Sequence, residues 1–360
     1  MSNTLYFTPG PTQLYPGTDT FIQEALTKDL CSISHRSQTF KDIFKETTDA
    51  LRELVNLPDG WHIFFTGSAS EVWERILVNC CYETSLHYVN GSFSKKFFQY
   101  AQDLGLDAKS INSEFGEGIS LENAESSWIP DLVCLTHNET SAGTTTPVEE
   151  INKARALYPN ALITVDTVSS IPYPNYDFDK IDSLFFSVQK CFGLPAGLGV
   201  WMVNEKCIEK AKEIKQKGKS IGAHHDLLEL KKRGVKYQTP CTPNILNIFL
   251  LGKVAKEMNK KGKDQLRSET EQKYQLLCEM VEKHPSFSLF VKDEYFRSKT
   301  VVVIETNISP TEINKQLATK GMQVGTGYGD KKDSQIRIAN FPAFDIEQIK
   351  DLCNALLALN

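Results

Sequence analysis

Between about residues 60 and 205, short apolar runs alternate with stretches whose apolar positions recur at helical spacing. Residues 61–65, 87–89, 132–136, 162–165, 183–187 and 199–203 read as strands. Most are apolar almost throughout, which suits strands covered on both faces in a largely parallel sheet. Between them, residues 71–80 and 95–104 read as helices, and the alternation predicts a doubly wound α/β core. Such cores bind ligands beyond the carboxyl ends of their strands. Upstream, residues 39–55 form a helix with Phe40, Ile43, Phe44, Thr47, Leu51 and Leu54 on one face.

After Pro240 and Pro243 the texture changes. A long polar helical region over about 244–284 precedes strands at 287–291 and 299–305. A helix opening at Ser309-Pro310-Thr311-Glu312, a strand at 335–339 and a closing helix from Asp345 complete an α+β unit. The expected division is a large domain over 15–250 and a small one made of 1–14 and 251–360.

Composition narrows the function classes. The chain has 360 residues, 41% of them hydrophobic and 24% charged, and a formal net charge of −5. Neither that charge nor any basic block suits nucleic acid. No apolar run approaches the ~20 residues of a membrane span. The first residues carry no basic leader with an apolar core, and nine cysteines are scattered without a Cys-x-x-Cys pair. Together these predict a cytoplasmic protein with reduced thiols. His224-His225 has no zinc-like companions, so no metal is expected.

Three segments carry chemistry. Lys190 follows the apolar run 183–187 and precedes a Gly/Pro turn. Burial there lowers an amine's pKa, as Schiff-base formation requires, although a lone lysine could also snorkel to solvent. Asp166 ends the run 162–165, where a buried carboxylate could hold the proton of a pyridine nitrogen or cap the next helix. Thr66-Gly67-Ser68-Ala69-Ser70-Glu71 reads as strand, small-residue turn and helix, with Ser68 and Glu71 spaced as a capping box. Free amides at such a helix start suit a phosphate. Neither a Gly-x-Gly-x-x-Gly fingerprint nor a Walker loop is present, which disfavours dinucleotide and nucleotide chemistry.

In this order the three segments resemble those of a class V aminotransferase. So do Phe7-Thr8-Pro9-Gly10-Pro11-Thr12, Ser34-His35-Arg36-Ser37-Gln38-Thr39-Phe40, His137-Asn138-Glu139-Thr140-Ser141-Ala142-Gly143 and Gln238-Thr239-Pro240. The resemblance spans nearly the whole chain and is strongest to the phosphoserine branch, then to the alanine–glyoxylate (serine–pyruvate) branch. It implies the pyridoxal-phosphate transferase fold of type I, with a mostly parallel seven-stranded sheet and a smaller C-terminal domain. It also implies pyridoxal 5'-phosphate as cofactor and an active-site-sharing homodimer acting on small amino acids and 2-oxo acids.

By the same resemblance, Lys190 is the Schiff-base lysine and proton carrier, and Asp166 the partner of the ring nitrogen. Ser68, Ala69, Ser70 and Gln189 surround the phosphate. Phe93 and Val168 pack the two ring faces, Thr140 lies near the ring's phenolic oxygen, and Gln238 and Thr239 reach the partner's phosphate. Arg337, turned away from Ile336 and Ile338 by strand alternation, clamps a carboxylate bidentately. Gly10 lies against the substrate, and His35 and Arg36 match a pair that helps bind a substrate phosphate. The expected reaction is amino transfer, with phosphoserine and 2-oxoglutarate leading and alanine, serine or glyoxylate next.

One stretch departs from the phosphoserine pattern. Where that branch has a second His-Arg pair, this chain reads Gly321-Met322-Gln323-Val324-Gly325-Thr326-Gly327-Tyr328-Gly329-Asp330-Lys331-Lys332, with Lys331 or Lys332 as the cation on offer. A cysteine desulfurase or lyase is disfavoured by Gln189, where those enzymes usually have histidine. It is disfavoured too by the lack of a cysteine in a mobile Gly/Ser-rich loop. A non-catalytic binding protein on this scaffold would have lost Lys190 or Asp166, and a nicotinamide dehydrogenase would need the missing glycine fingerprint.

Overall fold

A computed structural model describes residues 4–121 and 128–359. Among these residues, seven strands form one sheet. Their spatial order is Trp61–Thr66, Gly199–Asn204, Ser183–Ser187, Leu162–Asp166, Leu132–Thr136, Thr84–Val89 and Asp107–Asn112. Gly199–Asn204 runs antiparallel to both neighbours and the other pairings are parallel. The predicted mostly parallel sheet is therefore present. Its three central strands are buried at every position, because helices cover both faces and every side chain has to be apolar or partnered.

One face carries helices Ala69–Cys80, Ser92–Asp103 and Glu205–Gln216, with Trp73, Ile76, Phe97 and Ile208 in contact with the sheet's Phe185 and Trp201. The other face is covered by Gln38–Val55 and Ile245–Lys261. Phe40, Phe44, Leu51 and Leu54 of the first join Ile248, Leu251 and Val254 of the second. Each such side chain contributes about 1.5–3 kcal/mol by leaving water. Ser37 caps the first helix by accepting from Phe40 N at 3.2 Å, and Thr47 donates to the Ile248 carbonyl across the helix pair at 2.9 Å.

The second sheet runs Leu5–Phe7, Met322–Thr326, Gln335–Ala339, Val301–Thr306, Phe287–Leu289, with Lys263–Lys283 and Ile346–Leu357 packed on it. The long helical region expected over 244–284 is two helices, broken at Gly262. That residue adopts φ +85°, a conformation that favours glycine and ends a helix. Cys191, immediately after Lys190, packs with Phe7 in the core beneath this sheet. The segment following the central strand is thereby pinned between the two cores.

Candidate active site

Lys190 leaves the carboxyl end of Ser183–Ser187 and is fixed from two sides. Its carbonyl accepts from Gly193 N at 2.9 Å, and the preceding Gln189 carbonyl accepts from Thr12 N at 3.2 Å. Gly10 lies so close that a Cβ there would stand 2.3 Å from Lys190 Cε and 2.6 Å from Nζ, at φ +138°. Only glycine lets the chain cross the amine at that separation. Burial first, then the nearby Arg337 guanidinium, lowers the amine's pKa from 10.5 to about 8.

Asp166 ends the adjacent strand. Its carboxylate accepts from Trp73 Nε1 and from Val168 N, both at 3.0 Å. Burial raises its pKa to about 6 against the pull of those two donors. A desolvated carboxylate and a desolvated amine on neighbouring strand ends are the paired perturbation that marks a reaction centre. Trp73 escaped the sequence reading. A buried indole N–H needs an acceptor, and that requirement was the available signal.

The 66–70 turn opens helix Ala69–Cys80 as expected, and its hydrogen bonds are specific. Ser68 Oγ caps Glu71 N at 3.1 Å, Glu71 Oε2 accepts from Gly67 N at 2.6 Å, and Ala69 N donates to Ser187 Oγ at 2.7 Å. Next to Lys190, Gln189 Oε1 is buried with no hydrogen-bond partner among the described residues. A buried orphan acceptor invites a ligand donor or water.

Phe93 opens helix Ser92–Asp103, and its ring centroid lies 5.6 Å from Lys190 Nζ. Its position is set by Glu139, a fully buried carboxylate that sequence reasoning left unused. Glu139 accepts from Phe93 N, Ser94 N and Ser94 Oγ, and from Ser141 N and Oγ. A negative group at a helix start is also favoured by the dipole. Thr140 donates to Ser169 Oγ at 2.7 Å, and its carbonyl accepts from Arg337 Nη1 at 3.1 Å. Arg337 Nε is held by the Thr326 carbonyl at 2.7 Å, and its guanidinium lies 5.4 Å from the Tyr328 ring centroid. Ile336 and Ile338 are buried on the other side of the strand, as the alternation predicts. Tyr328 touches Phe93 as well, with centroids 5.2 Å apart.

Four predicted residues gather elsewhere in the chain. Arg36 donates to Gln238 Oε1 and to the carbonyls of Thr239 and Pro240 at 2.8–3.2 Å. His35 Nδ1 lies 3.3 Å from Thr242 Oγ1, and Thr239 Oγ1 donates to the Cys241 carbonyl. Within one chain, the His35-Arg36 pair thus anchors the 238–242 segment. That segment borders a cleft of about 230 Å³ shared with Gly67 and Glu71. Of the lysines considered in place of a second His-Arg pair, Lys331 lies 5.6 Å from the Phe290 ring.

A doubly wound sheet with a desolvated lysine and a buried aspartate beyond its strand ends, faced by an arginine of the second sheet that can match a carboxylate, describes a pyridoxal-phosphate transaminase. The chain belongs to the class V aminotransferases, whose family model matches residues 6–331. A solved phosphoserine aminotransferase of Cytophaga hutchinsonii is 47% identical, covers 99% of both chains and superposes with a TM-score of 0.98. A phosphoserine aminotransferase of Rhodococcus opacus is 28% identical over 90% of this chain and 86% of its own length. An alanine–glyoxylate aminotransferase of Nostoc sp., 20% identical with a TM-score of 0.84 over 99% and 95% of the two chains, shares the fold.

Proposed function

We propose that this transaminase transfers the amino group of phosphoserine to 2-oxoglutarate, a step of serine biosynthesis, as a cytoplasmic homodimer. The observation that carries the substrate is the 47% identity, over 99% of both chains, to a protein described as a phosphoserine aminotransferase. The proposed division is a cofactor-binding domain over 15–250, with 1–14 and 251–360 forming the smaller one.

The residues present fit pyridoxal phosphate. The desolvated Lys190 amine suits its aldehyde, and Asp166 suits its ring nitrogen. The helix start at Ser68, Ala69 and Ser70, with the side-chain N–H₂ of Gln189 as a further donor, suits its phosphate end. Phe93, Val168 and Thr140 would line the ring, and Gln238 and Thr239 would approach it from the partner subunit. Bound, the cofactor supplies an electron sink for negative charge at the substrate's α-carbon.

The chain's own groups do the rest. Asp166 holds a proton at the ring nitrogen, a role its burial favours because the ion has few other partners. Lys190, with a pKa of about 8, is partly neutral near pH 7 and carries a proton to and from the α-carbon. Arg337 presents its remaining N–H edge to the α-carboxylate, and Gly10 lets the N-terminal segment close over the amine. His35 and Arg36 would act on substrate from the neighbouring subunit.

The test is a donor panel on the purified enzyme with 2-oxoglutarate as acceptor. The proposal expects kcat/KM for phosphoserine to exceed that for serine and alanine by roughly a hundredfold or more, as a site built for a charged group discriminates. Equal or better turnover of alanine or serine would replace phosphoserine as the donor.

A further inference from the structure

We propose that Lys96 and Tyr328 form the subsite for a second anionic group on the donor's side chain, a phosphate monoester or a carboxylate. The inference rests on the roles given above to Lys190 and Arg337. Lys96 lies three residues beyond Phe93 on helix Ser92–Asp103, so the two side chains emerge on one face. Its ammonium donates to Tyr328 Oη at 3.2 Å and lies 6.0 Å from the Phe93 centroid and 5.9 Å from the Tyr328 centroid. Lys190 approaches the same Phe93 ring, and Arg337 the same Tyr328 ring, at 5.6 and 5.4 Å. Three cations therefore border one pair of touching aromatic rings.

Lys96 also has no carboxylate at the helical spacing that pairs many of the chain's other surface lysines. Lysines such as Lys45, Lys212 and Lys217 pair with a carboxylate three or four residues away. The residues so spaced from Lys96 are Ser92, Phe93, Gln99 and Tyr100, none of them acidic. Among the described residues its hydrogen-bond partner is a neutral phenol. An ammonium bonded to a phenol polarises that O–H, and the two together present a charge-assisted donor pair. An amino acid held through its α-carboxylate on Arg337 meets Tyr328 against the clamp and Lys96 just beyond it. The Lys331 ammonium, over Phe290, serves another contact.

Steady-state kcat and KM for phosphoserine, glutamate and serine, measured on the holoenzyme and on Lys96→Ala, Lys96→Arg and Tyr328→Phe, test this. Lys96→Ala is expected to lower the phosphoserine-to-serine ratio of kcat/KM by roughly ten- to a hundredfold, the worth of a hydrogen bond to a charged group. The loss is expected in KM, with an unaltered cofactor absorbance band, and Lys96→Arg recovers most of it. The glutamate arm separates the two anions: a parallel loss assigns the subsite to carboxylates as well, and an unchanged value confines it to phosphate. A ratio within twofold of wild type in Lys96→Ala would overturn the subsite. So would an equal loss for all three donors that arginine does not restore. A wild-type enzyme that turns over serine but neither anionic donor would instead overturn the substrate reading on which the subsite rests.

Discussion

At Lys190 a single side chain combines burial, a neighbouring guanidinium and a glycine crossing. Its lowered pKa fixes a pH dependence. In the proposed role Lys190 would react with the cofactor's aldehyde as the neutral amine, so its reactivity would follow the deprotonated fraction and rise with pH until the pKa is passed. Uptake of pyridoxal phosphate by cofactor-free protein is expected to accelerate up to about pH 8 and then level off. A stopped-flow rate still climbing toward pH 10 would mean an unperturbed amine. Trp73 and Asp166 form the second test. Removing the indole N–H takes away a donor that favours the carboxylate. Trp73→Phe is therefore expected to weaken cofactor binding or kcat/KM by about tenfold, as loss of a supporting partner typically does; equilibrium dialysis and kinetics unchanged from wild type would remove Trp73 from the site. Lys190, Asp166 and Arg337 stood out in the sequence as charged residues in or after apolar strands, and the family resemblance supplied their expected roles. Trp73, Glu139 and Tyr328 were not, since their meaning lies in partners 93, 45 and 235 positions away.

Among the elements, the helix Ser92–Asp103 shows how a local structure aims a functional ring. Its first-turn amides converge on the buried Glu139, which also holds Ser141, so one carboxylate ties the Phe93 helix to the segment carrying Thr140. Glu139→Gln keeps the shape but turns an N–H₂ toward donors. The expected cost is about 1–3 kcal/mol, the penalty for leaving buried donors unsatisfied, read as a lower thermal midpoint. A midpoint equal to wild type would contradict the capping role. Apolar runs located the central strands to within a few residues because burial on both faces demands them. The edge strand Asp107–Asn112 was missed: its sequence is polar and half-exposed, and its pairing with Thr84–Val89 leaves no local pattern. The N-terminal strand Leu5–Phe7 was missed for a related reason. It is short, and its partner is Met322–Thr326 at the far end of the chain.

For the whole molecule, the site lies where the two cores meet. Lys190 follows the strand Ser183–Ser187 of the large sheet, while Cys191 is packed with Phe7 in the core of the small one. Arg337 comes from the small sheet and is held by the carbonyl of Thr140, in the segment that follows strand Leu132–Thr136 of the large one. The Lys190 amine and the Arg337 guanidinium are thus fixed relative to each other by packing on both sides, which favours this junction as the proposed site of amino transfer. The change of texture after Pro243 pointed to two units in the sequence, whereas the crossing of Gly10 over Lys190 is visible only once the chain is folded. The proposed chemistry turns on Lys190 bonding and serving the cofactor. Its most direct test is the visible absorbance of purified wild type and Lys190→Ala, each supplied with pyridoxal phosphate and then with an amino donor. A wild-type band that bleaches on donor addition, with no such band and no turnover in Lys190→Ala, is the predicted result. A variant that forms the same band and still transaminates would contradict the account.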